Sequence, residues 1–193
     1  MDILEFALIS MIPIPVFWYV FKIKLRFIPL GIGAMILSAL VEMEYEKFLG
    51  DQNIILMVVF IAPVIEETIK MLFTWFGKDL RSGMGIGLGF AVVENIMYYM
   101  SYPFIFWNLF ALREFQDPLL HTTSTGVSSG AWKRPWKYSV AIGIHMIYNI
   151  VALSNSFISI SILAIAYLGI LVFMKLKEKK IKMENKKIDG LKI

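Results

Sequence analysis

The run from 53 to 76, NIILMVVFIAPVIEETIKMLFTWF, is long and apolar enough to cross a bilayer, yet it carries Glu66, Glu67 and Lys70 near its middle. A charge at the bilayer centre costs roughly 2.5 to 3.5 kcal/mol on the insertion scale, so each of these groups needs a partner, a cavity or a proton. This segment therefore asks for a bundle that shelters ions from lipid. The composition asks for the same thing: of 193 residues, 58% are hydrophobic and only 18% charged, more apolar surface than a soluble domain of this size can hide.

Further candidate spans are 3 to 21, 27 to 41, 83 to 101, 138 to 154 and 157 to 174. The first follows Met1 and Asp2 without a basic leader or a small-residue cleavage site, so it reads as a retained span. Between 102 and 137, an aromatic stretch from Pro103 to Leu112 and a polar segment from Arg113 to Asp117 precede a Ser/Thr/Gly-rich run, Pro118 to Trp132. That run reads as a short fifth span, too polar to face lipid and so enclosed by the others.

Charge tests this count independently of hydropathy. With alternating loops, one side receives Lys22, Lys24, Arg26, Lys78, Arg81, Lys133, Arg134, Lys137 and the Lys-rich tail from Lys175. The other receives Asp2, Glu5, Glu42, Glu44, Glu46, Asp51, Glu114 and Asp117, with Lys47 and Arg113 as its cations. The expectation is an all-α, polytopic transmembrane helix bundle of about seven spans in the cell membrane, N-terminus outside and C-terminus cytoplasmic. It has one transmembrane domain, 1 to 176, and a basic tail, 177 to 193. Topology accounts for the net charge of +4, so no nucleic-acid partner is expected. Anionic lipid headgroups are the expected partner of the tail, at about 1 kcal/mol per Lys near the surface. Cysteine is absent, which removes disulfides, thiolate ligands and a thiol nucleophile.

The chemistry lies in the buried polar residues. On a helix, Lys70 can meet Glu66 at four residues and Glu67 at three, whereas the adjacent glutamates diverge by about 100 degrees. Pro63 removes a helical hydrogen bond just before them and should kink the span, admitting a water or a substrate backbone. The fourth span has small-xxx-small pairs, Gly83 with Gly87 and Gly85 with Gly89, which favour close helix packing, followed by Glu94 and Asn95. His121 opens the polar fifth span, and His145 sits in the sixth with Asn149 one turn later on the same face. Counted at about 1.5 Å per residue from the inner span ends, Glu66 and Glu67 lie about 14 to 15 Å deep, Glu94 about 17, His121 about 16 and His145 about 11. Four helices thus place their ionisable groups in one slab, as a single internal site requires.

A carboxylate in such a site can act as a general base, a histidine as acid, and an Asn amide as an oxyanion donor. The candidate catalytic residues are Glu66, Glu67, Glu94, His121 and His145, supported by Lys70, Asn95 and Asn149. Glu67, Glu94, His121 and His145 are also a donor set suited to a divalent metal such as zinc. Either route has water attack a carbonyl, which makes peptide hydrolysis inside the membrane the leading reading. Two others compete. Gly126-Val127-Ser128-Ser129-Gly130 and His145 with Asn149 match the GxSxG and HxxxN patterns of rhomboid serine proteases, although no strand precedes the serine. A proton-coupled transporter would instead spread titratable groups from face to face, and a non-enzymatic assembly factor would consume every carboxylate in salt bridges.

Glu66-Glu67-Thr68-Ile69-Lys70 fits EExxK, Gly89-Phe90-Ala91-Val92-Val93-Glu94-Asn95 fits GFAxxEN, and His121 and His145 follow in order. Together these resemble the PrsW intramembrane proteases, distant relatives of the CAAX-processing and bacteriocin-immunity membrane proteases. The resemblance implies site-1 cleavage of a single-span regulatory protein, such as an anti-sigma factor, with Glu66, Glu67, Glu94, His121 and His145 in the active site. Those relatives carry EExxxR and FxxxH where this chain has Lys70 and Glu94, which argues against prenylated substrates.

Overall fold

A computed structural model describes residues 3–49, 53–101, 107–153 and 157–190, which are helical with short connections and contain no strand. The first predicted span is two helices, α1 (Ile3–Ser10) and α2 (Pro13–Phe21), because Pro13 and Pro15 lack the N–H groups that would continue α1 through Met11 and Ile12. Lys22, at φ 57°, closes α2 in the left-handed region. After a short 3-10 turn, α3 (Ile28–Leu49) runs well beyond the expected end at residue 41 and brings Glu42 within electrostatic reach of Glu66, Glu94 and Lys70.

The acidic span is one rod of unequal winding. A turn of α4 (Ile54–Leu56) leads into a wide π-helical segment, Met57–Ile61, and then α5 (Ala62–Phe73), which closes in a 3-10 turn. Pro63 has no N–H to give, and the chain in front of it winds wide so that the Ala62 N–H reaches the Met57 carbonyl five residues back. Where a kink was expected at Pro63, the chain takes this wide turn.

Next come α6 (Leu80–Ser101), α7 (Trp107–Ser128), α8 (Trp136–Leu153) and α9 (Phe157–Gly190). Asp79 caps α6, accepting from the Ser82 N–H at 3.2 Å and Ser82 Oγ at 2.6 Å, and pairs with Lys24 at 2.7 Å. Partial burial works against its charge, but these hydrogen bonds prevail and hold the carboxyl below its usual range. One expectation is corrected: the polar segment from Arg113 to Asp117 is not a loop ahead of a span starting at Pro118. It lies inside α7, with Pro118 in mid-helix, and Arg113 and Asp117 project to the bundle interior rather than to the outer surface. Residues 103–106 of the aromatic stretch, Asp2 and Asp51 lie outside the described residues.

The glycines of α6 explain the packing. Gly83 and Gly87 face α7, where an added Cβ would run into Thr125 and His121, while Gly85 and Gly89 face Lys24 and Ile28 at the start of α3. Each small-xxx-small pair serves a different neighbour, so α6 is gripped from two sides. The burial pattern inverts that of a soluble protein: Phe48 is 88% exposed and Ile165 70%, whereas Glu67, Lys70 and His121 are fully buried. Leu4–Phe21, Leu25–Phe48 and Ile158–Ile181 are long and apolar enough to cross a membrane.

Candidate active site

Lys70 is the hub. Its Nζ lies 2.7 Å from Glu67 Oε1, 3.3 Å from Glu66 Oε2 and 2.7 Å from His121 Nδ1, with the Phe90 ring 4.1 Å away. An ammonium has three N–H donors, and these three acceptors use them all. With His121 Nδ1 accepting, its proton sits on Nε2, which donates to Glu94 Oε2 at 2.6 Å and stands 3.3 Å from Asp117 Oδ1. Glu94 in turn accepts from Arg113 Nη2 at 2.8 Å. On the other side, Glu67 Oε1 receives Ser124 Oγ at 2.9 Å and lies 3.1 Å from His145 Nδ1. His145 is also 3.9 Å from Glu66 Oε2, and the two imidazoles meet edge to face at 5.1 Å.

The structure thus brings Glu66, Glu67, Lys70, Glu94, His121 and His145 into one connected cluster supplied by α5, α6, α7 and α8. Two expected residues sit elsewhere. Asn95, next to Glu94, turns to the opposite face of α6; there its buried amide approaches Glu114 without a well-formed hydrogen bond, and Glu114 holds Ser10 of α1 at 3.0 Å. Asn149 stands at the rim, its Nδ2 donating to the Val58 carbonyl in the wide turn at 2.7 Å. Ser128 and Ser129 of the GxSxG match donate to carbonyls of their own helix, at Thr125 and Gly126, while His145 faces Glu67.

Arg113, Asp117, Ser124 and Tyr148 belong to the site and were not singled out from sequence. The missed signal is a spacing: Arg113, Asp117 and His121 are four residues apart, one face of one helix, once the segment is read as helical. A cavity of about 380 Å³ opens onto the cluster, with Glu66, Glu94, Arg113, His145 and Tyr148 on its polar wall and Val58, Ala62, Ala152 and Leu153 on its apolar one.

The donor set fits a divalent ion. Glu66, His121 and His145 each offer a ligand atom, all within 4.8 Å of one another, and Glu94, Asp117 and His121 form a second such group. The first group contains Glu66, where the sequence pointed to Glu67. The His121 Nε2–H to Glu94 contact is the carboxylate–histidine pairing that fixes a metal-binding imidazole. Among the described residues in contact, four carboxyl groups, Glu66, Glu67, Glu94 and Asp117, face the two cations Lys70 and Arg113. Glu67 Oε2 is buried without a partner.

The family model described as PrsW family intramembrane metalloprotease matches residues 15–176. No curated protein and no solved structure matches the chain.

Proposed function

Because this chain belongs to the PrsW family of intramembrane metalloproteases, we propose that it cuts one peptide bond of a single-span regulatory protein, an anti-sigma-factor-like substrate, within the bilayer. Glu67 is the general base, and Glu66, His121 and His145 hold a divalent ion such as zinc. When bound, the ion supplies Lewis-acid polarisation of the carbonyl and makes water acidic near neutral pH.

The observation that carries this reading is the asymmetry of Glu67. Three donors, Lys70, Ser124 and His145, converge on its Oε1, while Oε2 has no partner. A carboxyl group tied at one oxygen by three donors keeps the other as the oxygen that can take a proton. Glu67 removes a proton from water as the water oxygen bonds to the carbonyl carbon and the C=O pair moves onto oxygen. The pair then returns, the C–N bond breaks, and the proton passes to the departing nitrogen, giving a carboxylic acid and an amine. Glu66 and His145 line the cavity and set where the carbonyl stops; Glu94 holds His121 in the tautomer whose Nδ1 lone pair accepts from Lys70 and would turn to the ion in place of that N–H.

The protein crosses the membrane about seven times with its C-terminus cytoplasmic, and the basic end of α9 lies against anionic headgroups. Residues 1 to 176 act as one catalytic domain. This arrangement is supported by contacts that collect at one end of the bundle: Lys24 with Asp79, Arg81 with Glu178, and Lys175 with the Val20 carbonyl.

Metal content and cleavage measured on the same purified samples test the roles. Glu67→Gln is expected to keep its metal and lose turnover by about 10² to 10⁴, whereas Glu66→Gln and His145→Ala lose both. Undiminished turnover by Glu67→Gln, or loss of its metal, removes it as the base.

A further inference from the structure

A hydrolase of this kind needs a group to receive the carbonyl oxygen as it gains charge, and of the two Asn side chains expected from sequence to supply an amide, Asn149 gives its own to Val58 and Asn95 turns toward Glu114. Across the same cavity stands Arg113. Of its five N–H donors, Nη2 is bonded to Glu94 at 2.8 Å; among the described residues it makes no second hydrogen bond, and its Nε is buried without a partner. Asp117 lies 3.9 Å away, too far for a hydrogen bond, and the guanidinium packs 4.0 Å over the Tyr98 ring. The side chain is 20% exposed and lines the cavity alongside Glu66 and His145.

A guanidinium fixed on one edge by a carboxylate and on its face by an aromatic ring, with donors left over, is preorganised for an anion. We propose that Arg113 is a catalytic residue of this site, donating hydrogen bonds to the substrate carbonyl oxygen as the C=O pair moves onto it. The same contact weakens when the pair returns and the C–N bond breaks, so Arg113 ends each turnover with its proton count unchanged. The assignment rests on the hydrolytic reading above. Neutralising Glu94 does not by itself call for the fork: a lysine would serve that purpose.

The test uses the full chain in lipid nanodiscs and two lauroyl-capped dipeptide probes, a phosphonamidate, which is a tetrahedral anion, and the planar, neutral amide with the same side chains. Wild type is expected to bind the phosphonamidate about 10²-fold or more tightly than the amide. Arg113→Lys keeps the charge beside Glu94, and Arg113→Gln keeps two N–H donors; both are expected to lose about 10²-fold of that preference, with amide affinity changed less than about twofold. Glu67→Gln is expected to keep the preference, since anion binding needs no base. Retention of the preference by either Arg113 variant overturns the assignment. A wild-type chain with no preference overturns the hydrolytic reading itself.

Discussion

At the residue scale, Lys70 is the cation around which the acidic groups are arranged. A fully buried ammonium shared by two carboxylates and an imidazole is tolerated because every N–H is bonded and the charges compensate. It also touches Glu66 and His121, two of the side chains assigned to the metal, and so neutralises their surroundings. Removing it leaves buried negative charge that a divalent ion can offset. Lys70→Met is therefore expected to lose about 3 to 5 kcal/mol of stability in the presence of a chelator and to regain most of it with excess zinc. Thermal unfolding under the two conditions reads this; an equal loss in both would show that the ammonium and the ion do not share a site.

At the element scale, α6 decides how closely α7 can present His121. A Cβ on Gly87 would overlap the His121 carbonyl, whereas one on Gly143 of α8 would meet nothing within 4 Å. Gly87→Ala is expected to cost about 1 to 3 kcal/mol by overpacking and, by displacing His121, about 10²-fold in turnover. Gly143→Ala serves as the control and should leave both unchanged; equal behaviour of the two variants would detach activity from the α6 to α7 spacing. The helical class, the acidic rod and the role of these glycines were legible because apolar runs and residue spacings are local properties. The composition of α7 was harder to read. Arg113, Glu114 and Asp117 look like loop residues when hydropathy alone is followed, since their burial depends on partners: Glu94 and Ser10 from other helices, and His121 one turn further along α7 itself. For the same reason the sequence left Glu66 and Glu67 interchangeable, and only three converging donors from α5, α7 and α8 distinguish them.

At the scale of the whole molecule, charge is sorted between the interior and the two ends, while apolar side chains cover the outer face. The orientation proposed here predicts that a cysteine placed at Lys179, in a chain with no cysteine of its own, reacts with a membrane-impermeant maleimide only after the cells are permeabilised, and one at Lys47 reacts in intact cells. The reverse pattern would invert the topology. The wide turn at Met57–Ile61 has a last consequence. Successive residues of a regular helix step by about 100 degrees, so unwinding that turn into ordinary α-helix would swing its two flanks out of phase. Asn149 and His145, one turn apart on α8, hold Val58 near the start of the turn and Glu67 beyond it. Together they act as a two-point gauge of the rod's rotation, and ordinary winding could satisfy only one of its marks at a time.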